Sequence, residues 1–164
     1  WVLNMIDQGV FGDINHAEGA YIHDLRKHMM HETYYEDQWR IKHHETTNAN
    51  LYTGHGLGPV SMYMDIGRGD NYDHLVSMSS REQSLSYGAK KENFKTQEFV
   101  CGDMNTTLIR TKKGKTIMLQ FDTHTERPYS RLNTVTGTKA VHQGYPSRLY
   151  VGHDDLQWIG RAHV

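Results

Sequence analysis

The sequence predicts an α+β domain whose sheet is mostly antiparallel and meander-like. Three observations carry that prediction. Apolar residues recur at helical spacing at the start of the chain and again beyond residue 58. "TTLIRT" and "TIMLQFDTH" flank "KKGK", a β-hairpin signal with Gly114 in the turn. Short β-rich pieces punctuated by glycine, "RLNTVTGTKAVHQG" and "SRLYVG", follow it. Helical patterns that precede a run of hairpin-spaced strands fit a layered α+β arrangement better than alternating βαβ units.

Taken in order, Val2, Leu3 and Ile6 share a helical face, with Gly9 placed to end that helix. "FGDINHAEGAY" (11–21) reads as a strand, with Ile14, His16 and Glu18 on one side and Asn15 and Ala17 on the other. Residues 22–50 are polar, show no period, and read as a long excursion of the kind that more often carries function than not. Gly58-Pro59 predicts a helix start, because proline is favoured where its missing N–H is not needed. Val60, Tyr63 and Met64 form that helix's apolar stripe and Gly67 its stop. "DHLVSMSS" (73–80) is a strand, and "REQSLSYGAKKENFK" a polar connection that is partly helical.

A chain of 164 residues is long enough for one domain with a real core. Lys and Arg number 18 against 19 Asp and Glu, a formal charge of −1, which removes the electrostatic case for nucleic acid or an anionic membrane surface. No apolar run approaches the roughly 20 residues of a membrane span. One cysteine, Cys101, excludes an internal disulfide and a multi-cysteine zinc site, and reads as a buried strand residue. The start at Trp1, directly into a helical pattern, reads as a piece of a longer protein.

Twelve histidines raise a metal hypothesis, but the clusters "HDLRKHMMHE" and "HHE" match no standard zinc spacing, and no metal ligands are assigned. "GRGD" (67–70) would act as an adhesion sequence only on an exposed loop. "GHGLG" lacks the G-x-G-x-x-G spacing of a dinucleotide fingerprint.

"NLYTGHGLGPV" (50–60) is different. Gly54, Gly56 and Gly58 surround His55 and allow positive φ or close approach of a ligand. The helix expected to follow offers N–H groups to a developing negative charge. A histidine there can stay neutral and take a proton near pH 7. Tyr52 can serve as a base only if a cation holds its phenolate, and Arg40 in "QWRIKHH" is the candidate. These residues leave two readings open, a functional site and a well-packed turn.

"FGDINHAEGAYIHDLR" (11–26), "WR" (39–40), "LYTGHGLGPV" (51–60), "IGRGDNYDHLVSMSS" (66–80) and "RPYS" (127–130) together resemble one family, in order and spacing. The chain is similar to the C-terminal, substrate-binding domain of glycoside hydrolase family 109, NAD-dependent α-N-acetylgalactosaminidases of the Gfo/Idh/MocA oxidoreductase superfamily. The resemblance implies that the whole chain, 1–164, is that one domain, a mostly antiparallel sheet with helices packed on one face. It implies NAD as cofactor, bound mainly by an N-terminal Rossmann domain absent from this sequence, and a carbohydrate substrate. It further implies subunit contacts through the open sheet, a bacterial exported or periplasmic setting, and no activity for this piece alone.

Residue by residue, the resemblance makes Tyr21, Arg40, Tyr52 and Tyr129 substrate-binding, and His55, Tyr52 and Tyr129 catalytic. Tyr52 and His55 match the ends of the family's Tyr-Pro-Thr-His motif, whose middle is Thr53-Gly54 here, so a looser loop is expected. The implied chemistry is oxidation of the sugar at C3, elimination of the glycosidic oxygen, addition of water, and reduction. It needs bases and enolate-stabilising donors instead of two spaced carboxylates. Two alternatives are a sugar or inositol dehydrogenase of the same superfamily and a non-catalytic domain for oligomerisation or carbohydrate binding.

Overall fold

The computed structural model describes residues 1–152 and 158–161. Helix α1 (Val2–Asp7) leads to strand β1 (Ile14–Ile22), then α2 (Arg26–Met30), a 3-10 turn at Glu36–Gln38, α3 (Trp39–Thr46) and α4 (Thr53–Tyr63). Strand β2 (Tyr72–Ser79), helix α5 (Ser84–Lys91), and strands β3 (Asn105–Thr111) and β4 (Thr116–Asp122) follow. The chain continues with β5 (Asn133–Gly137), β6 (Ala140–Gln143), β7 (Arg148–Val151) and β8 (Trp158–Arg161). All eight strands form one sheet in the order β2-β3-β4-β1-β5-β6-β7-β8. The α+β class and the mostly antiparallel sheet therefore agree with the sequence.

The sheet is not a simple meander. β1 sits in its middle, parallel to β4 and antiparallel to β5, with an antiparallel meander on each side. Period-2 alternation sets which face is covered. Ala17 and Gly19 of β1, Ile109 of β3, and Ile117, Leu119 and Phe121 of β4 are buried under the helices. The opposite face leaves Val76, Met78 and Leu108 more than half exposed at its β2 edge.

Local chemistry accounts for the element ends. Gly9 (φ +74°) closes α1 with the paired bonds of a Schellman cap, Gly9 N–H to Ile6 O at 2.9 Å and Val10 N–H to Met5 O at 3.0 Å. The turn between β3 and β4 places Gly114 at φ +85°. Helix α4 stops at Asp65 (φ +59°), with Ile66 N–H bonded to Ser61 O at 3.0 Å, so Gly67 belongs to the next turn and is not the stop.

Several further expectations need correction. Residues 22–50 hold two helices and a 3-10 turn, bearing Met29, Met30 and Ile41 in the core. Their helices span 5 and 8 residues, too short to display a period. Cys101 is buried, but in the segment before β3 and not in a strand. Asp70 of "GRGD" is 2% exposed and accepts hydrogen bonds from Thr111 Oγ1 and the N–H groups of Asn71 and Lys113, which rules out its display. Among the described residues no helix is long and apolar enough to cross a membrane.

Candidate active site

Helix α4 begins six residues earlier than Pro59 predicts, at Thr53, with Pro59 inside it. Asn50 builds the start: its Oδ1 accepts the Tyr52 N–H at 3.1 Å, and its carbonyl accepts the Thr53 hydroxyl at 2.9 Å. Thr53-Gly54 is therefore the first turn of a helix and not a loosened loop. His55 lies within that turn and not before it.

The glycines also act differently from expectation, for none of the three adopts positive φ. Gly56 is where α4 meets β1: a Cβ on Gly19 would lie 2.5 Å from the Gly56 carbonyl oxygen, and one on Gly56 would lie 3.0 Å from the Gly19 carbonyl carbon. Gly54 and Gly58 face open space. Backbone touching backbone sets the helix onto the strand and with it places Tyr52 and His55.

Tyr21 follows Gly19 by two residues on the same face of β1. Its ring stacks on Tyr52 (centroids 4.9 Å, interplanar 16°) and on His55 (4.6 Å, 15°). Those two rings are 5.6 Å apart and parallel within 3°, so they lie side by side on one face of Tyr21. Arg40 reaches them from α3. Its guanidinium lies over the rings of Tyr52 (4.3 Å) and Tyr35 (4.4 Å), and Nη2 donates to the Tyr52 phenol oxygen. Arg40 is 8% exposed, and its Nε and Nη1 have no partner among the described residues. A cavity of about 290 Å³ opens there, between Trp39, Arg40, His43, His44, Leu51 and Tyr52.

Tyr129 enters through strand register. Ser130 pairs antiparallel with Ile22, exchanging both N–H···O bonds at 2.9 Å. That pairing sets Arg131 opposite Tyr21 and Tyr129 opposite His23. The Arg131 guanidinium accordingly lies over Tyr21 (5.4 Å) and Tyr129 (5.6 Å), and His23 meets the Tyr129 ring edge-on at 4.9 Å. Tyr21, Arg40, Tyr52 and His55 thus form one cluster, and Tyr129 joins it by way of Arg131. Sequence reasoning passed over Arg131, and it read His23 only as part of a histidine-rich stretch. The signal for Arg131 was its place two residues beyond Tyr129, on the same side of an extended segment.

Electrostatics separates the roles. Partial loss of hydration where its ring stacks on Tyr21, reinforced by the positive charges of Arg131 and Arg40, pushes the His55 imidazole below its ordinary value, so the neutral form prevails at pH 7. For Tyr52 burial outweighs the opposing pull of Arg40 and holds the phenol above its ordinary value. Arg40 therefore does not make Tyr52 a phenolate; it bonds to a phenol whose own O–H remains free to donate.

Residues 1–158 match the family model described as glycosyl hydrolase 109, C-terminal domain. The chain belongs to glycosyl hydrolase family 109. It is 50% identical over 157 residues to a glycosyl hydrolase family 109 protein of Shewanella sp. (strain W3-18-1), covering 93% of this chain and 34% of that one. It is 49% identical over 158 residues to an alpha-N-acetylgalactosaminidase of Shewanella oneidensis, with the same coverage. The family 109 chain thus spans about a third of the length of the curated relatives it matches.

Its fold is that of the Gfo/Idh/MocA C-terminal domain. A levoglucosan dehydrogenase in complex with NADH and levoglucosan superposes with a TM-score of 0.60 at 14% identity, covering 93% of this chain and 39% of the other. An inositol dehydrogenase homolog from Azotobacter vinelandii, complexed with NADH and myo-inositol, gives 0.59 at 13%, covering 96% and 38%. At that identity these two speak for the fold alone.

Proposed function

We propose that this chain is the substrate-binding and catalytic half of an NAD-dependent glycosidase acting on α-N-acetylgalactosaminides. An N-terminal Rossmann domain in the full-length protein completes it, and the piece alone is inactive. The observation that carries the reading is the buried Arg40 guanidinium. It bonds to the Tyr52 phenol beside a neutral His55, and its Nε and Nη1 have no partner among the described residues. Buried donors of that kind call for acceptors, and sugar hydroxyl, keto and acetamide oxygens supply them.

The residues present fit the nicotinamide end of the cofactor and not its phosphates. His55 and Tyr129 are exposed at the rim of an aromatic surface on which a flat ring and a sugar can meet. Arg40 is buried against Tyr52, with most of its guanidinium shielded by aromatic rings. When bound, NAD supplies a hydride acceptor at sugar C3 and returns the hydride at the end of the cycle.

The chain's own residues do the rest. Arg40 and the Tyr52 O–H hold the C3 oxygen, whose hydroxyl proton passes to solvent as the hydride leaves, and then stabilise the enolate charge on it. His55, neutral at pH 7, accepts the proton from C2, and the C1–O bond breaks as the leaving oxygen takes a proton from water, which leaves hydroxide in the site. The imidazolium exchanges its proton with solvent and delivers one to C2 as that hydroxide adds at C1. Tyr21 supports both rings from below, and Arg131 keeps the site electropositive. Subunit contacts are assigned to the open face of the sheet, where Val76, Met78 and Leu108 stand exposed.

The test uses full-length enzyme and an aryl α-N-acetylgalactosaminide in deuterated water. Deuterium at C2 of the released sugar with no net NADH is the expected result. Stoichiometric NADH accumulation on a free sugar would make the protein a dehydrogenase instead.

A further inference from the structure

Three residues beside the site, one of them lining its cavity, have no part in the proposed reaction. His44 on α3, Cys101 before β3 and His124 after β4 are each 1% exposed or less. Their ligand atoms all lie within 4.8 Å of one another. His124 Nε2 and His44 Nδ1 are 2.9 Å apart. The only polar contact of the Cys101 thiol among the described residues is a 3.8 Å approach to the Ala49 carbonyl. Far apart in the chain, these residues form no motif a sequence scan would find.

The structure assigns to His44, Cys101 and His124 a binding site for a thiophilic divalent cation, zinc being the ion best matched. Two imidazoles and a thiolate are the donor set that zinc prefers, at about 2.0–2.1 Å for nitrogen and about 2.3 Å for sulfur. To reach those distances the nitrogen pair, now 2.9 Å apart, opens and the thiol, within 4.8 Å of both nitrogens, moves in. A fourth position is left to water.

A second observation favours this over a dry hydrogen-bonded trio. His124 Nδ1 is fully buried, has no hydrogen-bond partner among the described residues, and faces Asp103 Oδ1 at 3.6 Å. Asp103 is anchored at the start of α5 by the N–H and hydroxyl of Ser84. A carboxylate behind one ring nitrogen keeps the proton there and turns the other nitrogen's lone pair toward the ion, which is the usual outer support of a metal-bound histidine. Charge balances as well. A divalent ion with one thiolate leaves +1, which the Asp103 carboxylate offsets, and the thiol proton is released to solvent on binding.

The ion would tie three segments, two of which already meet through His44 O, which accepts from Val100 and Cys101 N–H at 3.1 Å each. His44 stands one helical turn after Arg40, so the clamp also steadies the sugar-binding arginine. The inference does not rest on the proposed glycosidase activity.

The test uses full-length protein stripped with a chelator and titrated with cobalt(II). The expected result is tetrahedral visible bands with a near-ultraviolet thiolate-to-cobalt charge-transfer band, saturating at one ion per chain and displaced by zinc. Cys101→Ser should abolish the charge-transfer band and weaken binding at least tenfold, and Asp103→Asn should weaken it with the band retained. Wild-type protein that gives no charge-transfer band overturns the assignment, whatever the variants do. So does a band that survives in Cys101→Ser.

Discussion

Gly19 and Gly56 touch backbone to backbone, and their contact sets the height of α4 above β1. A methyl group on Gly19 meets the Gly56 carbonyl oxygen at 2.5 Å, a distance that only movement of the helix relieves. Gly19→Ala should therefore cost about 1–3 kcal/mol of stability, as overpacking does. It should also lower kcat/KM of the full-length enzyme by about 100-fold, because Tyr52 and His55 ride on the displaced helix. Gly54→Ala, in open space inside the same helix, should raise stability by about 0.5–1 kcal/mol. Thermal melts of the two variants check this. Equal melting temperatures would remove the contact from the account.

The His55 imidazole is pushed below its ordinary value of 6.5 by burial and by two arginines. A base must be neutral to act, so activity is lost only as pH falls through that depressed value. The acidic limb of kcat/KM should lie below pH 6.5 and disappear in His55→Ala, whose residual rate should be lower by about 100-fold or more. The pH profile of the two enzymes is the measurement, and a limb above 6.5 would assign the base elsewhere.

Arg40 and Tyr52 work as a unit. Lysine at position 40 keeps the charge but lacks the planar fork that donates to Tyr52 while stacking over two rings. Arg40→Lys and Tyr52→Phe should each lower kcat/KM by about 10- to 100-fold, the scale of one charged hydrogen bond. The double variant should fall well short of the product of the two effects, since either change breaks the same contact. Full additivity would show two independent roles.

Much of this was legible in the residues. The β3–β4 hairpin, the strand at β2 and the apolar stripe of Val60, Tyr63 and Met64 followed from period and turn chemistry. The cluster of Tyr21, Arg40, Tyr52 and His55 followed from motif resemblance, and the structure brings those four together. The start of α4 differs from the expectation because proline usually marks a first turn but here lies inside the helix, while the Asn50 side-chain bond to Tyr52 N–H that leads into the helix leaves no periodic trace. The role of Gly56 was invisible because its partner, Gly19, lies in a strand far away in sequence. The parallel pairing of β1 with β4 escaped for the same reason. Period-2 alternation tells which face a residue takes but not which strand lies beside it.

Arg131 shows what strand pairing adds to a motif. Its guanidinium covers Tyr21 and Tyr129, and its charge is one of the two that keep His55 deprotonated. Removing that charge makes the imidazolium easier to form, so the His55 value rises. Arg131→Met should move the acidic limb of kcat/KM upward, toward pH 6.5, and raise KM as the stacking on Tyr129 is lost. Arg131→Lys keeps the charge and should leave the limb near its wild-type position. His23 is also pushed down, chiefly by burial and in part by Arg131, so the comparison should be repeated on a His23→Asn background. A limb that still moves there belongs to His55. If it no longer moves, the titrating group is His23, and His55 loses its role as base.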